Sequence, residues 1–157
     1  MVKKTGKTPG EFYAKDRQAW REWLEKNHET EKSVWLILYH RDSRTPCVSY
    51  EDAVEEAICF GWIDSRPQKR DAESSHLLFA RRNPASKWSQ NNRERAERMI
   101  RAGRMREEGM HMIELAKTSG TWTALEEVQK NITPDDLQEA LDASPRAKEY
   151  FLAFPPS

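Results

Sequence analysis

Cysteine is scarce in this 157-residue chain: only Cys47 and Cys59 occur, and neither sits in metal-ligand spacing. A disulfide-stapled scaffold is thereby excluded, and a reduced, cytoplasmic setting is the expectation. No apolar run approaches the ~18 residues that span a bilayer, so no membrane span is expected. The opening MVKKTGKTPGEF is charged with no apolar segment behind it, which argues against a secretory leader. Six glycines and eight prolines are too few for a low-complexity chain. No repeat at solenoid periods is visible. An excess of either charge is missing too, since 26 basic side chains face 26 acidic ones.

That neutrality conceals a division along the chain. Residues 66–106 hold twelve Lys/Arg against four acids, while residues 107–157 hold four against ten. Residues 1–65 are nearly balanced, with ten against twelve. A basic middle and an acidic tail give either a polarised surface or two surfaces that neutralise each other. The apolar share is 37 % and the charged share 33 %, so the core must be small or supported by aromatics. Six Trp, five Phe and four Tyr supply that support, each able to bury about 150–250 Å².

Local signals divide the chain into elements. Residues 1–10 read as a flexible lead-in and 11–157 as one α+β domain, mixed over 11–82 and helical over 83–157. Asp16 is an N-cap for a helix to about Asn27, with Ala19, Trp20, Trp23 and Leu24 on one face. VWLILYH (34–40) predicts a central strand covered on both sides. Ser49 with Asp52 resembles a capping box, and the helix it opens ends where Gly61 supplies a left-handed residue. Cys59, inside AICFGWI, reads as a small core hydrophobe.

Trp62–Ser65 predicts a short strand, Arg66–Ser75 a charged loop, and His76–Arg81 a second strand ended by Asn83-Pro84. Ser89 caps a helix to about Ala102, and another runs from about Glu107 to Ser119, stopping at Gly120. Thr133-Pro134 and Ser144-Pro145 announce two further helices. The expected fold is α+β, with a small, mostly antiparallel sheet of about three strands packed with helices and a helical C-terminal half.

Four tracts together carry a family resemblance: AWREWLEKNH, VWLILYH, SYEDAVEEAICFGWIDS and RRNPASKWSQNNRERAERMIRAGRM. In order and spacing they resemble the YdeI/OmpD-associated, or bacteriocin-protection, family. That resemblance implies a bacterial stress protein with a core like that of the YjbR/CyaY class. It brings no catalytic residues, and members of that family usually continue past the position of Phe154-Pro155-Pro156-Ser157 with a further helical, basic segment, which is expected to be missing here.

Candidate binding residues gather in two of these tracts. Trp62 and Trp88 are expected as pocket walls, Arg81 and Arg82 as anion contacts, and Asp64 as the group orienting an arginine. Ser86 and Asn92 would add polar contacts. The competing readings are structural: Trp62 in the core, Asp64 in a turn or ion pair, and the arginines paired with the acidic C-terminal third. Ser86, Ser89, His76 and Asp64 are the residue types of a hydroxyl nucleophile with its base, yet no GxSxG, phosphate loop or HExxH supports them. His28, His40, His76 and His111 are scattered, so neither metal nor cofactor is expected.

The expectation is therefore a non-catalytic binding protein for an anionic small molecule or a protein partner. A nucleic-acid-binding module and an enzyme of unknown reaction stand behind it as alternatives. The aromatics of the last helix leave a homodimer open.

Overall fold

In the computed structural model, which describes residues 8–126 together with 139, 140, 142–146 and 149, the first element is a strand. This is β1 (Glu11–Tyr13), which local pattern did not predict. Three residues carry too little periodicity to register. What makes them a strand is a distant partner, β2 (Ser33–Tyr39), along which they run parallel.

Helix α1 (Arg17–Asn27) starts as its cap predicts, with the Asp16 carboxylate accepting the Ala19 N–H at 2.8 Å. Its stripe buries Trp20 and Leu24. Helix α2 (Tyr50–Cys59) opens on Ser49, whose hydroxyl accepts the Asp52 N–H at 3.1 Å. The two helices are joined by the Trp20 indole N–H, which donates to Ala53 O at 3.0 Å. Gly61 closes α2 at φ 73°, a conformation that costs glycine nothing.

The sheet is completed by β3 (Trp62–Lys69) and β4 (Ser74–Arg81), in the order β1-β2-β4-β3. The fold is α+β as expected, with a mixed sheet of four strands. Two local expectations need correction. The charged loop shrinks to a tight turn, because β3 continues through Pro67 to Lys69 with a register shift between Asp64 and Pro67. An edge strand tolerates that proline, since no neighbour needs its missing N–H. Asp71 ties the turn, its Oδ1 accepting the N–H groups of Glu73 and Ser74 and the Ser74 hydroxyl.

β2 is central, but neither of its faces is wholly covered: Leu38 is half-buried on one, and on the other only Ile37 is buried. Val34 and Leu36 lie buried beside Phe79 and Leu77 of β4, with Trp20 5.1 Å above Phe79. The face carrying Trp35 and Tyr39 is part-exposed, and Trp35 stacks there on His76 at 4.3 Å.

Helix α3 (Gln90–Arg101) is capped by Ser89, which accepts the Asn92 N–H at 3.2 Å. Helix α4 (Glu107–Ser119) ends at Gly120 with φ 87°. Its Gly109 lies against the C-terminus of α2, where a Cβ would stand 2.5 Å from Cys59 O and 2.6 Å from Ile58 O. The helices announced at Thr133-Pro134 and Ser144-Pro145 fall largely outside the described residues.

Candidate functional site

Most arginines of α3 and the following loop face acids, and those acids come from α1 and α2. Arg95 grips Glu51 with two nitrogens, at 2.5 and 3.0 Å. Arg98 meets Glu55 at 2.9 Å, Arg104 meets Glu56 at 2.5 Å, and Arg106 meets Glu25 at 2.5 Å. From α1, Arg17 and Arg21 reach the same Glu56 carboxylate at 2.6 and 2.5 Å. Glu56 is fully buried. Burial alone would raise its pKa, but hydrogen bonds from Arg17, Arg21 and Arg104 more than offset that and hold it below the usual value. This network knits α1, α2 and α3 together and presents no free cation to a ligand.

Two arginines of the basic window, Arg81 and Arg82, behave differently. They border a two-lobed cleft formed by the end of α1, the α2–β3 turn, the end of β4 and the first turns of α4. One lobe, about 350 Å³, is lined on its apolar side by Phe60, Trp62 and Met112, with Arg81 and Arg82 alongside. The other, about 540 Å³, extends past Met105, Arg106 and Glu107. His28, Phe60 and Glu108 belong to both. Gly61 keeps the floor low, because a Cβ there would lie 3.1 Å from both Glu108 O and Met112 Cγ.

Arg82 is 7 % exposed and meets no carboxylate at ion-pair distance among the described residues. Its guanidinium lies 3.8 Å over the Trp88 ring, one Nη donates to Lys87 O at 3.0 Å, and its Nε is buried with no hydrogen-bond partner. Burial pushes its pKa down to about 10, against the weaker attraction of the Asp64 charge. The group is still cationic at neutral pH, so a positive charge is held in the wall of the cleft against an aromatic face and one carbonyl, with no carboxylate in contact among the described residues. Arg81 is exposed and serves the backbone: its guanidinium donates to His28 O at 3.2 Å and to Glu29 O.

His28 follows the last residue of α1. Its Nδ1 lies 2.7 Å from Leu24 O, and because a carbonyl only accepts, Nδ1 carries the proton. Its Nε2 is buried 3.2 Å from Glu108 Oε1, out of line for a hydrogen bond. Glu108 titrates below the usual carboxylate value, chiefly through its own backbone N–H and also through the His28 ring, against partial burial.

Of the residues expected to form a pocket, the structure brings Trp62, Arg81 and Arg82 to the cleft and seats buried Trp88 against the Arg82 guanidinium. Asp64 accepts the Tyr50 hydroxyl at 3.0 Å, and its charge is felt by Arg82 at longer range. Ser86 lies in the turn after β4, its N–H on Asn83 O, and Asn92 accepts from Arg95 on α3; neither lines the cleft. Residue-type reasoning missed His28, Phe60, Gly61, Glu108 and Met112, whose only signal is three-dimensional. Buried Cys59 has its thiol pushed up to about 11 by desolvation, which leaves it a core residue without thiolate chemistry.

The chain matches the family described as Domain of unknown function (DUF8412) over residues 12–112. The match covers well over half of the chain, which therefore belongs to that family, and it takes in every residue lining the smaller lobe. No curated protein and no solved structure matches. This corrects the resemblance drawn from AWREWLEKNH and FGWIDS: the matching family is not the YdeI/OmpD-associated one, and its description carries no bacteriocin-protection or stress role. The tracts that suggested kinship are explained by packing, since their tryptophans and small residues build the α1–α2–β3 core. A cytoplasmic setting likewise loses its support. No helix among the described residues is long and apolar enough to cross a membrane, which says nothing of location.

Proposed function

We propose that this member of the family binds a small ligand that pairs an anionic group, carboxylate or phosphate, with an apolar body. The smaller lobe is its seat. One observation carries the reading: Arg82 is a buried guanidinium in the lobe wall with no acid at ion-pair distance among the described residues. A buried charge is normally paired, so an unpaired one bordering a cavity is the natural partner for an anion arriving from outside. Phe60, Trp62 and Met112 provide the apolar wall, and a lobe of about 350 Å³ suits a ligand of metabolite size. Trp88 packs against the guanidinium, and the Nη that is not on Lys87 O is left to meet an oxyanion.

Calorimetric titration with benzoate, phenyl phosphate and the neutral analogue benzamide tests this. The two anions should bind the native protein better than benzamide, and Arg82→Gln should weaken them by about tenfold or more, the usual effect of losing a charge-assisted pair. A circular-dichroism melt of the variant controls for folding. Equal affinity of benzoate for native and variant protein, or of benzoate and benzamide for the native protein, overturns the reading. Arg81 is unsuitable for the test, because it holds the His28–Glu29 backbone.

A further inference from the structure

We infer that His28, Glu29 and Glu108 form a site for a divalent ion of the Zn²⁺ or Mn²⁺ type, at the junction of the two lobes. One ligand atom from each residue can be chosen so that all lie within 4.8 Å of one another. Metal–ligand bonds of about 2.0–2.2 Å place neighbouring donors roughly 3.4 Å apart, so closure needs shifts below about 1 Å per side chain. Glu29, whose side chain is 78 % exposed, is free to make the largest of these.

The imidazole carries the argument. Leu24 O takes the Nδ1 proton, which leaves the lone pair of neutral His28 on Nε2. That nitrogen is buried with no hydrogen-bond partner, 3.2 Å from Glu108 Oε1 and 4.0 Å from Glu29 Oε1. A proton on Nε2 would find no oxygen in line, whereas a cation standing among the three groups would engage them all. A backbone carbonyl on Nδ1, leaving Nε2 free beside carboxylates, is also the arrangement that fixes a metal-binding histidine in its correct tautomer.

The surroundings hold the donors in place. The Phe60 ring lies 5.0 Å from the imidazole, and Arg81 pins the carbonyls of residues 28 and 29. Gly109 lets the first turn of α4, with Glu108, approach α2. One imidazole with two carboxylates suits a borderline first-row ion better than Ca²⁺, which prefers six or more oxygens, or a thiophilic ion. The remaining coordination positions open on the cleft.

The test is calorimetric titration of the chelator-treated full chain with ZnCl₂ and MnCl₂, with CaCl₂ as comparison. One Zn²⁺ or Mn²⁺ should bind per chain in preference to Ca²⁺. His28→Gln and Glu108→Gln should each weaken it by more than about tenfold. Exposed Glu29→Gln should do so to a smaller degree, and it serves as the readout if either partly buried variant fails to fold. Arg82→Gln should not weaken metal binding, because it removes a positive charge from the same lobe, and this separates the inference from the anion reading. Absence of a stoichiometric site, or affinity unchanged in the ligand variants that fold, overturns it.

Discussion

Glu56 is the side chain on which most depends. It is a fully buried carboxylate that accepts hydrogen bonds from Arg17, Arg21 and Arg104, drawn from α1 and from the loop before α4. Removing one partner of a buried ion network leaves the others desolvated without compensation. Glu56→Gln should therefore destabilise the fold by about 3 kcal/mol, measured as a shift of the urea midpoint at neutral pH. A shift under about 0.5 kcal/mol would mean that the three guanidinium groups find other acceptors. Glu51, on the same helix, is more than half exposed and pairs with Arg95 alone among the described residues, so its neutralisation should cost clearly less than that of Glu56. Nothing in YEDAVEEAIC distinguishes the two acids. Their difference comes from the turn of α2 that points Glu56 inward, and from arginines far away in the chain.

At the scale of elements, what could be read beforehand is what depends on neighbours in sequence. Asp16, Ser49 and Ser89 cap their helices as predicted, and Gly61 and Gly120 adopt the positive φ expected at helix ends. Each of those signals is a hydrogen bond or a dihedral spanning three or four residues. β1 escaped because its three residues become a strand only beside β2. Gly109 escaped because a glycine in the first turn of a helix looks like a flaw until α4 is laid on the carbonyls of Ile58 and Cys59. Gly109→Ala should push α4 off α2 and destabilise the protein by about 1–3 kcal/mol. Gly10→Ala, with nothing within 4 Å of the added methyl, should stay within about 0.5 kcal/mol. Equal midpoints for the two variants in urea would show that α4 yields without loss.

For the whole molecule, the division of charge along the sequence is undone in space. The basic middle and the acids of α1 and α2 meet across helix faces, and the basic stretch is largely an internal clasp. Sequence reasoning identified the arginines and one arm of the cleft, Trp62 with Arg81 and Arg82. It had no means to pair His28 with Glu108, because no periodicity links the end of one helix to the start of another. The clasp also fixes how stability depends on pH. Glu51, Glu56, Asp71 and Glu108 all titrate below their ordinary values in the folded protein. The stability they contribute is full above the unfolded value, 4.5 for glutamate, and is lost as the pH falls through the lowered folded values. The urea midpoint should therefore hold steady from about pH 7 to about pH 5 and then drop steeply below the ordinary glutamate value. Glu56→Gln, lacking the most buried of these carboxylates, should start lower and fall less. If the native and variant proteins lose stability in parallel below that value, the acid response arises elsewhere and the buried clasp is not its source.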